Sequence, residues 1–160
     1  MAVAYQQYLF TSLGWLHIRA TDQALTAIQF SEKQGTDQPN ELTFRAACQL
    51  TEFLEKKRTS FDLPLEFRGT DFQKKVWLAL QRIPYGHTIT YTELALWLGD
   101  EKCIRAAAHA SGTNPLLILV PCHRVVGSHG HLTGYAGGLW RKQKLLELEG
   151  ALAMQAEISW

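Results

Sequence analysis

The hydrophobic pattern opens with three short β-prone runs: "YQQYLFT" (5–11), "GWLHIRA" (14–20) and "ALTAIQF" (24–30). Such runs, bounded by turn residues, mark strands. The breaks between the runs, Ser12-Leu13-Gly14 and Thr21-Asp22-Gln23, are short and turn-like, so the pattern predicts an antiparallel meander. The pattern then changes. After Asn40, a residue suited to capping, Leu42, Ala46, Leu50, Phe53 and Leu54 recur at helical spacing and predict a helix over about 41–57. "FDLPLEF" (61–67) is extended and is expected to rejoin the sheet.

Arg68-Gly69 is the candidate boundary between a lobe of residues 1–68 and one of 69–160. Beyond it Thr70 and Gln73 form a capping box, which predicts a helix over about 71–82. Pro84 and Gly86 make "IPYGHTI" a loop or short strand. A second capping box, Thr90 and Glu93, opens a short helix ending near Gly99. "DEK" turns the chain into a helix over about 102–111, ending at Gly112. Asn114-Pro115 signals a turn, and 116–120 a short buried strand. "GSHGHLTGYAGG" reads as loop or hairpin, and "LWRKQKLLELEG" as an amphipathic helix stopped by Gly150. The sum is an α+β chain. Its two short helices joined by a tight turn read either as a helix-turn-helix or as an ordinary helical hairpin.

Composition narrows this little. Hydrophobic residues make up 46% of 160, enough for one domain or two small lobes with a core. No apolar run approaches the ~20 residues of a membrane span, and the N-terminus lacks a signal-peptide pattern, so a cytoplasmic protein is expected. Three cysteines cannot all pair, and their spacing suits no metal. Cys48 and Cys103 read as small apolar fillers in helices. His129 and His131 read as exposed loop residues, and no metal or cofactor is expected. The net charge of +1 is uneven. Residues 1–68 hold 7 Lys/Arg against 8 Asp/Glu, and residues 69–150 hold 9 against 6. That mild basicity permits contact with phosphate.

The candidate chemistry lies in "LVPCHRVVG" (119–127). Cys122 ends an apolar run and is followed by a glycine-rich loop. A thiol attacks as thiolate, and a neighbouring base promotes that form. His123 adjoins it, but successive residues of an extended chain point to opposite sides. Contact therefore needs a bend after Pro121 or a bridging water. Glu149 is a candidate to orient the imidazole, although a helix C-terminus is electrostatically poor for an acid. A buried structural cysteine remains the alternative. The helix "KCIRAAAHAS" (102–111) offers Arg105 among alanines, which cannot read base edges but allow the helix to lie close to a duplex.

These motifs carry a resemblance. "VPCHRVVG", with "YTELA", "RAAAHASGTNP", "TGYAGGLWRK" and "LLELEG" in order over about 70–150, resembles the methylated-DNA–protein-cysteine methyltransferases, the O6-alkylguanine-DNA alkyltransferases. The resemblance implies a ribonuclease-H-like first lobe. It implies a winged-helix-like second lobe that binds double-stranded DNA containing alkylated bases through the minor groove, as a monomer, and flips the damaged base. Cys122 would accept the alkyl group once. His123, through a water and Glu149, would favour the thiolate. Tyr91 would help rotate the nucleotide and donate a proton. Arg105 would fill the space left by the base, with Ala106 beside it on the DNA. Asn114 would be a hinge. The carbonyls of Cys122 and Val125 would accept from the base's amino group. Tyr135 and the backbone at Ala136 would line the pocket, and Lys142 would support it. Ala136 stands where some relatives have serine, and the N-terminal zinc ligands of some members have no match here.

Three rival readings make different predictions. A non-catalytic alkyl-base binder would lack Cys122. A plain DNA-binding module would carry base readers where the alanines stand. A cysteine hydrolase would draw nucleophile and base from distant segments.

Overall fold

In the computed structural model, which describes residues 4–152, the chain divides into two compact units. One holds the residues up to Arg68 together with Pro115–Leu117. The other holds Gly69–Asn114 and the residues from Ile118 onward. Residues 115–117, expected with the second lobe, thus belong to the first.

In the first unit β1 (Tyr5–Thr11), β2 (Gly14–Ala20) and β3 (Leu25–Ser31) form an antiparallel sheet in the order β1-β2-β3. Alternation sets the buried face of β2, where Leu16, Ile18 and Ala20 point inward; in β3 the fully buried Leu25 and Ile28 are three apart, across the register shift at Arg19/Ala20. Facing partners Tyr8 and His17 stack with ring centroids 4.4 Å apart on the other residues of the register. Helix α1 (Glu41–Leu54) starts at Asn40, whose side chain accepts from the Thr43 amide while Thr43 Oγ1 accepts from the Asn40 amide. Thr43, Ala46, Leu50 and Phe53 are its fully buried residues.

The helix stops three residues before the predicted end. Lys56 takes a left-handed φ of 63°, its amide bonds Phe53 O, and the Lys57 amide bonds Glu52 O. This is a Schellman closure with lysine where glycine is usual, so composition carried no stop signal. Cys48 falls on the exposed side of α1, which corrects its reading as a core filler, and Cys103 is only partly buried. The "FDLPLEF" segment does return to the sheet, where Leu25 bridges Leu65; a separate bridge joins Ile28 to Leu116.

In the second unit α2 (Asp71–Leu80) and α3 (Tyr91–Trp97) both open on the predicted capping boxes, Thr70 with Gln73 and Thr90 with Glu93. A 3-10 turn over Glu101–Cys103 precedes α4 (Ile104–Gly112), so the predicted helix starts two residues late. Helices α3, turn and α4 form the helix-turn-helix. Ala107 and Ala110 face inward, leaving Arg105, Ala106 and His109 exposed. The Trp77 indole, 1% exposed, donates to Ala110 O at 2.9 Å. Two-residue strands β4 (Ile89–Thr90) and β5 (Val125–Val126) pair in parallel, and α5 (Leu139–Leu148) closes at Gly150, φ 74°.

Residues 116–120 are buried as expected but are not a strand. Ile118 has φ 74°, a conformation a β-branched residue rarely adopts, and it breaks the extended run. Among the described residues no helix is long and apolar enough to cross a membrane.

Candidate active site

The site is built around a change of backbone direction. Pro121 has ψ 61°, and Cys122–Arg124 form a 3-10 turn. This supplies the bend that an extended Cys-His pair lacked. Cys122 is 5% exposed, yet it lines a pocket of about 270 Å³ together with Tyr91, Ala108, Ser111, Gly112, Gly134, Tyr135 and Ala136. The nucleophile candidate is therefore screened from bulk solvent and open to a cavity.

Asn114, 3% exposed, ties the end of α4 to this turn. Its Nδ2 donates to Val120 O at 2.7 Å, and its side chain also hydrogen-bonds Cys122. Burial pushes the Cys122 thiol up to about 11, against the Asn114 bond and the Lys142 charge, which pull it down. The resting thiol is thus protonated at neutral pH.

Behind Cys122 lies a buried ionic cluster. His123 is 0% exposed, and its Nε2 meets Glu149 Oε2 at 2.7 Å. Arg124 grips the same carboxylate with two bonds, Nε to Oε1 at 2.8 Å and Nη2 to Oε2 at 2.9 Å. Arg124 Nη1 donates to Ile83 O at 2.7 Å, and the Gly86 amide donates to Glu149 Oε1 at 3.2 Å. Burial works against the Glu149 charge, but the bonds from His123 and Arg124 outweigh it and hold the carboxyl at about 2. The acid at a helix C-terminus is explained by these partners.

Burial lowers the His123 pKa. The Glu149 bond and charge pull it back up, while the Arg124 and Lys142 charges depress it further. The imidazole is therefore neutral. A carboxylate at Nε2 accepts a proton from it, which leaves Nδ1 as the lone-pair nitrogen. That Nδ1 is buried and has no hydrogen-bond partner. The cluster holds a base with its free lone pair beside the thiol turn.

The pocket walls are equally specific. Tyr91 opens α3, and its hydroxyl lies 3.5 Å from Thr133 Oγ1; burial raises its pKa, so it keeps its proton. Tyr135 has a buried, unpartnered hydroxyl and a pKa raised well above the ordinary value by burial. Lys142 is 0% exposed. Its Nζ donates to Gly134 O at 3.0 Å and lies 5.9 Å from the Tyr91 ring centroid. Burial lowers it to about 8, against the attraction of Cys122.

The structure therefore gathers Cys122, His123, Glu149, Asn114, Tyr91, Tyr135, Ala136 and Lys142 in one region. Val125 lies outside the pocket lining, fully buried in β5. Arg105 and Ala106 stand exposed on α4, whose Ala108, Ser111 and Gly112 wall the pocket. Sequence reasoning missed Arg124. Its signal was a cation set between His123 and two valines, a place that demands a buried acid. His129 and His131 are exposed, and no group of three or more His, Cys, Asp or Glu able to hold a metal occurs among the described residues.

Comparison with known proteins converges on one family. A model described as "6-O-methylguanine DNA methyltransferase, DNA binding domain" matches residues 71–151. Another, described as the ribonuclease-like domain of the same family, matches residues 4–67. The methylated-DNA–protein-cysteine methyltransferase of Methanosarcina barkeri is 53% identical over 152 residues, covering 91% of this chain and 96% of that protein. That of Mycobacterium tuberculosis is 51% identical over 108 residues, covering 68% of this chain and 66% of that protein. The aligned part thus spans just under two thirds of the mycobacterial relative's length. The crystal structure of Mycobacterium tuberculosis OGT in complex with DNA superimposes with a TM-score of 0.84 at 40% identity, covering 91% of this chain and 92% of that one. Matched in both units, and built around a cysteine in the motif that carries the likeness, the chain belongs to the 6-O-methylguanine DNA methyltransferase family.

Proposed function

We propose that this chain repairs DNA by direct reversal of damage. It moves the alkyl group from O6 of a modified guanine in double-stranded DNA, and from O4-methylthymine, onto Cys122. The observation that carries the reading is the cysteine itself. It lies in the wall of a pocket of about 270 Å³, with a carboxylate-oriented imidazole behind it.

The chemistry follows from the groups present. A base inside a duplex cannot reach Cys122, so the nucleotide is extruded at a cost of a few kcal/mol. Arg105 occupies the space it leaves, Ala106 lets α4 approach the minor groove, and Asn114 is the hinge between α4 and the cysteine turn. The Cys122 carbonyl already accepts from the Val125 amide and has a second lone pair for the base's amino group. Val125, buried in β5 outside the pocket lining, holds the cysteine turn through that bond and does not itself meet the base. The Ala136 amide and Tyr135 face the alkylated oxygen.

His123 Nδ1 takes the thiol proton, directly or through one water. The sulfur attacks the alkyl carbon, the S–C bond forms, and the C–O6 bond breaks. Tyr91 donates a proton to the departing guanine ring and regains one from the His123 imidazolium through solvent, so that in balance the thiol's proton ends on the guanine. Lys142 offsets the thiolate charge. The product is a thioether, which no group here can cleave, so each molecule reacts once. We infer a monomer acting in the cytoplasm on DNA without a cofactor.

The test is mass spectrometry after incubation with a duplex carrying O6-methylguanine. One methyl group appears on Cys122, none appears on the Cys122→Ala variant, and repair stops at one lesion per molecule. An unmodified Cys122 with the lesion intact refutes the reading. Repair of several lesions per molecule refutes the single turnover.

A further inference from the structure

The loop that walls the pocket at Gly134, Tyr135 and Ala136 runs straight into α5. The first turn of that helix folds an aromatic ring and a cation back over the loop. Trp140 is 50% exposed, and Leu139 beside it 42%. The indole lies along Gly138, where a Cβ would stand 3.5 Å from Trp140 Cδ1 and 3.7 Å from Nε1. The Arg141 guanidinium covers the ring 4.6 Å from its centroid, and Nη1 donates to Gly137 O at 2.9 Å. Side chains on a helix lean toward its N-terminus, which here is the pocket loop. The core side of α5 is formed by Lys142, Leu145 and Leu146, so Trp140 is not needed there.

We propose that Trp140 and Arg141 form a DNA contact at the lip of the pocket. The indole packs on the base or deoxyribose of a nucleotide next to the everted one, and Arg141 draws in the adjoining phosphate. The inference rests on the reading that duplex DNA is the partner. Two observations favour DNA as occupant over another protein. The patch is continuous with the loop that lines the pocket, and the substrate base must arrive there still attached to its strand. The exposed ring also carries a cation, the pairing that suits an unstacked base beside a phosphate.

The experiment measures binding of the full chain, with Cys122→Ser to prevent transfer, to a duplex carrying O6-methylguanine. Trp140→Ala is expected to raise Kd about five- to a hundredfold. Trp140→Phe, which keeps an aromatic face, restores most of the affinity. Arg141→Gln lowers the slope of log affinity against log salt by about one. The emission that Trp140→Phe removes is quenched when DNA is added to the parent. The inference is overturned if Trp140→Ala binds like the parent. It is equally overturned if phenylalanine restores nothing and the Trp140 emission ignores DNA, since the loss would then be structural. Mass spectrometry of the chain with Cys122 intact separates the two readings. Methylated Cys122 with unaffected Trp140→Ala binding overturns this inference alone, and an unmethylated Cys122 overturns both.

Discussion

Lys142→Met should make the protein more stable and less reactive. Lys142 is fully buried, its ammonium donates to Gly134 O, and burial depresses its pKa from 10.5 to about 8. A base whose folded pKa is depressed is penalised in full below that pKa and relieved as pH climbs toward the unfolded value. At pH 7 the penalty is about 3 kcal/mol, and at pH 9 about 2 kcal/mol, at 1.36 kcal/mol per pKa unit. Methionine fills the space without the charge. It leaves Gly134 O without its donor, but Gly134 is exposed and its carbonyl can meet water, a loss of about 1 kcal/mol. The variant should therefore gain about 2 kcal/mol at pH 7 and about 1 kcal/mol at pH 9. Urea unfolding between pH 6 and 9, where the Cys122 thiol stays protonated, measures this. The methyl-transfer rate should fall about 10- to 100-fold, because the charge that pulls the Cys122 pKa down is gone. A variant less stable than its parent, by an amount indifferent to pH, would show that the ammonium is well paired and the reasoning wrong.

Other perturbations separate the remaining parts. Glu149→Gln places an amide against His123 and Arg124, so the imidazole is no longer held with its lone pair on Nδ1. Single-turnover transfer should slow about 10²- to 10⁴-fold, and loss of the partner of buried Arg124 should cost about 3–5 kcal/mol in urea unfolding. Unchanged transfer would remove His123 from the mechanism. Arg105→Ala, at an exposed position, should leave the melting temperature nearly unmoved and slow transfer from a duplex much more than from a methylated single strand, where less unstacking is required. Equal slowing on both substrates would deny it the role of wedge. Gly69→Ala would bring a Cβ to 2.6 Å from Trp77 Cη2 and 2.7 Å from Gln73 Oε1, the acceptor of the α2 capping box. Thermal unfolding should show a loss of about 1–3 kcal/mol, and no change would mean that the α2 start relaxes freely.

Much of the fold was legible because local chemistry and period agreed. Asn40, Thr70 and Thr90 each cap the helix that follows them, and the alternation in β2 sets which residues the sheet buries. The misses lie where the backbone does something that side-chain type does not announce. Lys56 ends α1 in a conformation usual for glycine, and Ile118 breaks an apolar run that reads as a strand. Cys48 falls one residue off the buried stripe, which composition alone could not reveal. At the site, the motif around Cys122 named the cysteine, the histidine and the glutamate. It did not reveal that Arg124 grips Glu149, because an arginine is ordinarily solvated and residue type alone does not say that this one turns inward.

The bridge between Ile28 and Leu116 bears on how the polypeptide matures at the ribosome. The Ile28 amide bonds Pro115 O, and Ile28 O accepts from the Leu117 amide. The margin of the N-terminal sheet thus stays unfinished until translation has passed α4. A nascent chain halted at Arg68 would present that margin bare, open to pairing with a stranger's backbone. Dividing the gene at this point would yield two fragments, each lacking something held by the other.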